Sequence, residues 1–76
     1  MTKTKAEDLI IAKVPRPMLD RAMEIFHHLC YSQTSVTEIS CLRIPPDWPK
    51  RDITFRRNGR RFVMGLRGNK FFGEKA

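Results

Sequence analysis

Residues 53–66 read Ile-Thr-Phe-Arg-Arg-Asn-Gly-Arg-Arg-Phe-Val-Met-Gly-Leu, and their reading decides the fold. Asn58-Gly59 separates two extended runs. Asn-Gly favours a two-residue type I′ turn, because both central positions take positive φ. That loop pairs Arg57 with Arg60, Arg56 with Arg61, Phe55 with Phe62, Thr54 with Val63 and Ile53 with Met64. Side chains alternate along a strand. Ile53, Phe55, Phe62, Met64 and Leu66 therefore share one face, and Thr54, Arg56, Arg61, Val63 and Arg67 the other. A slip of one residue would mix the two sets, so turn chemistry and hydrophobic pattern agree on one register. Arg57 and Arg60 fall on the apolar side but at the tip, where long stems cover apolar surface and charged heads stay in water.

Upstream, Met18, Ala22, Ile25 and Leu29 are spaced as one helix face, widened by Leu19, Phe26 and Cys30. This helix runs from about Met18 to Tyr31. Pro17 suits its first turn, and Asp20 near its start complements the helix dipole. Two segments stay ambiguous. Residues 9–14 suit a strand by their Ile and Val content, with a slight lean that way; the capping-box spacing Thr4-Lys-Ala-Glu7 instead suits a helix ending before Pro15. Residues 36–44 are β-branched like a strand, yet Ser35 to Glu38 repeats the capping-box spacing. Residues 32–35 form a polar connector, Pro45-Pro46 ends the element before it, and residues 68–76 look irregular.

The expected class is α+β: one amphipathic helix packed on a small antiparallel sheet in the order β-α-β-β, with the Asn-Gly hairpin at the C-terminal end. The alternative is a winged-helix-like domain, with helices near 18–31 and 36–44 and the hairpin as wing. A strand followed by a helix over residues 9–31 resembles the opening of ribbon-helix-helix repressors. The later prolines and hairpin depart from that pattern, and the family is not adopted.

Seventy-six residues allow a single domain, residues 1–76, with a thin stability margin. Scaffolds of this length begin to need staples or partners, so a homodimer stays open. No stretch approaches the roughly 18 apolar residues of a membrane span, and the apolar run from Leu9 is too short for a secretion signal. The reading is a cytoplasmic protein with Cys30 and Cys41 as free thiols.

Charge is unevenly distributed. Lys3, Lys5, Lys13, Arg16 and Arg21 balance Glu7, Asp8, Asp20, Glu24 and Glu38 in residues 1–38, so the net +7 lies wholly in residues 39–76. Such an asymmetric field suits DNA or RNA, an acidic protein, or simple colloidal solubility. Like charges directly across a ladder repel, so Arg56/Arg61 and Arg57/Arg60 make most sense when an anion neutralises them. Arginine offers a planar donor fork to phosphate or guanine. The expected function is nucleic-acid binding by a small regulator, through Arg56, Arg57, Arg60, Arg61 and Arg67 with Lys50 and Arg51 extending the patch. Trp48, held between prolines, and Phe71 are candidates for base stacking or for a buried anchor, although packing is the simpler role for both. The competing reading is a small inhibitory or adaptor protein that docks an acidic surface.

His27, His28, Cys30 and Cys41 match no familiar zinc spacing, so no metal is expected, and no cofactor motif occurs. There is no phosphate loop, paired metal motif or nucleophile elbow. Asp47 and Asp52 have no spacing that marks an acid/base pair. The reading is a non-enzyme, with a small basic nuclease using His27 or His28 as base left open.

Overall fold

The computed structural model describes residues 1–31 and 38–76. The polar connector expected at 32–35 and the first residues of the ambiguous 36–44 segment lie outside the described residues. Two helices precede a four-stranded antiparallel sheet: α1 (Lys3–Lys13), α2 (Arg16–Tyr31), β1 (Ile39–Arg43), β2 (Ile53–Arg57), β3 (Arg60–Arg67) and β4 (Lys70–Lys75), with strand order β1-β2-β3-β4. The class is α+β.

The order is α-α-β-β-β-β, which corrects the expected β-α-β-β. Residues 9–14 belong to α1 and the residue that ends it. The reason is visible once the segment is extended upstream: Ala6, Ile10 and Val14 are buried at four-residue intervals, the period of a helix rather than a strand. Thr2, not Thr4, caps the helix, its side chain accepting from the Lys5 N–H at 3.3 Å. Val14 takes an extended conformation before Pro15 and closes α1. This removes the likeness to a ribbon-helix-helix opening. The winged-helix alternative also falls, because the described part of residues 36–44 is strand β1 and not a second core helix.

α2 buries Ala22, Phe26, Leu29 and Cys30, with Met18, Leu19, Met23 and Ile25 partly covered beside them. It packs on the sheet through rings: Phe26 meets Phe55 edge-on at 5.4 Å between centroids, and Phe55 stacks on Phe62 at 5.6 Å. Each such ring, fully buried, contributes roughly 1.5–3 kcal/mol from burial alone. Gly73 on β4 lets α2 approach; an added Cβ there would collide with the Ile25 Cγ2.

The registers follow from the turns. β2 and β3 pair Arg57 with Arg60 and Ile53 with Met64, across Asn58 and Gly59 at φ 49° and 80°. β4 replaces the irregular tail expected from the sequence. Gly68-Asn69 is a second two-residue turn, with Gly68 at φ 63° in the first central position as a type II′ turn requires. It pairs Arg67 with Lys70 and Phe62 with Lys75. β1 pairs β2 with a register shift between Ser40 and Arg43, where Cys41 sits at φ 55°; this is a bulge on an edge strand. The Ile39 N–H donates to the Met1 carbonyl at 2.9 Å, and the Met1 amino group pairs with Glu38, which ties the chain start to that edge.

Both helices cover one face of the sheet, over Ile39, Ile53, Phe55, Phe62 and Met64. The opposite face carries Arg56, Arg61, Val63, Arg67, Phe72 and Glu74, and no helix among the described residues lies over it. Among the described residues no helix is long and apolar enough to cross a membrane.

Candidate nucleic-acid interface

Strand alternation divides the expected arginine patch. Arg56 stands directly opposite Arg61 on the uncovered face, where such partners have Cβ atoms about 5 Å apart. Both are exposed, and among the described residues neither is ion-paired. Ser40 adjoins Arg56 from β1. One step along the strands, the row runs Arg43, Thr54, Val63, Glu74. A hollow of about 490 Å³ opens here, lined by Cys41, Arg43, Thr54, Arg56, Arg61, Val63 and Ala76 among others. The Ala76 N–H donates to the Arg61 carbonyl at 3.0 Å and closes one side of it.

Arg43 was not among the residues expected from the sequence. Strict alternation from Ile39 would place Arg43 on the helix side; the bulge between Ser40 and Arg43 turns it to the face of Arg56, and no cue in the sequence marks that bulge. Phe72, one of the aromatic residues that interleave with the basic ones, also belongs to this face. It lies opposite Gly65 on the uncovered face, and the Arg67 guanidinium sits 4.7 Å from its ring centre. A cation over an aromatic face contributes about 0.5–1 kcal/mol where exposed.

The other expected residues lie elsewhere. Arg60 is exposed at the hairpin tip, on the helix side of the sheet. Lys50 and Arg51 occupy the β1–β2 loop, at the end of β2 away from the turn. Six residues of extended chain separate Arg51 from Arg57, roughly 20 Å, so they do not extend the patch around the turn. Arg51 Nε donates to Asp47 Oδ1 at 2.7 Å. Trp48 and Phe71 lie 6.0 Å apart between ring centres, each half-buried against the core.

Arg57 overturns the expectation of a wet tip. It is 4% exposed, points to the helix side, and lies 4.4 Å from the centre of the Phe62 ring. Its Nε and Nη1 are buried with no acceptor among the described residues. The cause is the neighbouring Ile39 row: β1 pairs Ile39 with Arg57 and covers the position that a two-stranded view leaves at an edge. The fully buried Cys30 thiol feels this charge. Burial pushes it up to about 11, against a smaller lowering by Arg57 and Lys3 and a small raise by Glu7.

Cys30 and Cys41 are both free thiols, Cys30 buried and Cys41 exposed. His27 Nε2 lies 3.5 Å from Glu7 Oε1 on the helix side. Among the described residues no three His, Cys, Asp or Glu side chains gather into a metal-binding group.

The uncovered face is thus an array of guanidinium donors around a shallow hollow with Thr54 and Val63 between them. It can hold anionic oxygens at the rim and a flat or apolar group within. No family model matches the chain, and neither a curated protein nor a solved structure is similar to it.

Proposed function

We propose that this chain binds nucleic acid through the uncovered face of its sheet, with Arg43, Arg56 and Arg61 as the main phosphate contacts and Arg67 as an outlying one. The observation that carries the reading is the direct opposition of Arg56 and Arg61, joined by Arg43 around one hollow. Three guanidiniums around one hollow, with no ion-paired carboxylate among the described residues, repel one another in the free protein. A polyanion relieves that repulsion and releases its own counterions. Phosphate contacts of this kind position a chain on nucleic acid and do not by themselves read sequence. The reading is therefore a non-enzymatic binding protein of the cytoplasm, acting as a small regulator. Docking on an acidic protein draws less support, because its expected anchors, Trp48 and Phe71, are engaged with each other and with the core.

Fluorescence anisotropy with labelled DNA and RNA, repeated across a salt series, tests the proposal. Arg56→Gln with Arg61→Gln should weaken binding and flatten the dependence of log affinity on log salt. The slope magnitude should drop by roughly 1.8 on duplex DNA, or roughly 1.4 on a single strand, if each guanidinium meets one phosphate. Equal affinity and equal slope for the two proteins would reject this site.

A further inference from the structure

We infer that the hollow on the uncovered face seats one unpaired nucleotide, so that the ligand is single-stranded nucleic acid rather than a duplex. This rests on the nucleic-acid reading above and narrows it. Three observations carry it.

The first is width. Four strands at about 4.8 Å spacing span roughly 14 Å, more than the major groove of about 12 Å. The whole face cannot enter a groove, and a duplex laid across it offers only its phosphate ridges. The second is the hollow. At about 490 Å³ it falls in the range of sites that take a small organic group. A paired, stacked base cannot leave the duplex to fill it without paying the cost of flipping. An unpaired base can. The third is the arrangement of charge. Thr54 and Val63 lie side by side within the hollow, while Arg43, Arg56 and Arg61 surround them. A base resting on the β-branched side chains brings its flanking phosphates to the arginines. Glu74 stands opposite Val63 on the β4 side, outside the lining. Its carboxylate repels phosphate there and directs the backbone toward β1 and β2. Further along β3, the Arg67–Phe72 pair gives a flat surface on which a neighbouring base can stack.

The test compares labelled oligo-U, oligo-dT and a duplex of equal length at one low salt concentration, with wild type and Val63→Phe. Val63 is half-buried, and phenylalanine suits a strand position and fills the hollow without changing charge. The single strands should bind roughly tenfold more tightly than the duplex. The substitution should cost them roughly tenfold and so narrow their advantage over the duplex. A preference between oligo-U and oligo-dT supports the inference, and oligo-dU then separates the 2′-hydroxyl from the thymine methyl as its cause. If Val63→Phe does not fold, NMR titration of wild type with a short oligonucleotide replaces it, and amide shifts centred on Thr54 and Val63 are expected. A duplex bound as tightly as a single strand, unaltered binding by folded Val63→Phe, or shifts absent at Thr54 and Val63 would overturn the inference while leaving the phosphate contacts intact. Failure of all three probes to bind would overturn the nucleic-acid reading itself.

Discussion

Arg57 shows how one residue is decided by its surroundings. Taking a guanidinium out of water costs several kcal/mol, and the Phe62 ring beneath it returns about 2 kcal/mol. With no acceptor for Nε and Nη1 among the described residues, the charge is a net cost that the packing of its stem only partly offsets. Arg57→Met keeps the stem and removes the charge, so it should stabilise the fold by about 1–4 kcal/mol, read as a higher urea midpoint. A lower midpoint would mean that the guanidinium finds an acceptor in solution. Cys30 gives a pH-dependent counterpart. The folded protein holds this thiol neutral up to about pH 11, whereas the unfolded chain ionises it near its ordinary value. Stability from the neutral buried thiol is whole below the unfolded value, about 8.5–9, and is lost as pH rises toward 11, at about 1.4 kcal/mol per unit. Urea midpoints between pH 8 and 11 should fall more steeply for wild type than for Cys30→Ala. Parallel lines would show that Cys30 ionises freely.

Elements in this chain were legible in proportion to how local their cause is. The β2–β3 register follows from the two residues between the strands, and α2 from a stripe that repeats within its own length. α1 was not legible from residues 9–14, because its period shows only when Ala6 joins Ile10 and Val14, and because α2 supplies the surface that buries them. β4 had a readable cue in Gly68-Asn69, masked by the polar tail around it. β4 also sets a packing limit. At Gly73 a methyl group would collide with the Ile25 Cγ2 and approach Leu29 Cδ1 at 3.0 Å, and a β-branched side chain on a helix has little rotamer freedom to yield. Gly73→Ala should therefore destabilise by about 1–3 kcal/mol, seen in thermal unfolding as a Tm lower by roughly 4–8 °C per kcal/mol. A neutral result would show that α2 shifts outward at no cost.

Across the whole molecule, the helices occupy one side of the sheet and leave the arginines on the other. The same charges then act in two opposite directions. In the free protein Arg56 and Arg61 repel across the ladder, so Arg56→Gln with Arg61→Gln should stabilise the fold by up to about 1 kcal/mol at low salt, with the gain vanishing as salt screens it. On a polyanion they attract, so the same pair of substitutions should weaken binding. Unfolding and binding measured on one preparation check both signs together; a variant less stable at low salt would argue that these arginines are already neutralised by groups within the chain. Arg57 is best left out of such a variant, because its position in the core would confuse a binding loss with a folding loss.

By itself the sequence determined the pairing of residues 53–57 with 60–64, the amphipathic helix before them, and the placement of the net +7 in residues 39–76. These depend on turn geometry, short-range periodicity and counting, all of which act within a few neighbouring residues. Tertiary structure alone decided that residues 9–13 are helical, that β1 buries Arg57, and that Arg43 and Phe72 share a face with Arg56, Arg61 and Arg67. Each of those depends on which element lies beside another, and strand neighbours and helix contacts far apart in the chain are chosen by burial of the common core, a property no single segment carries.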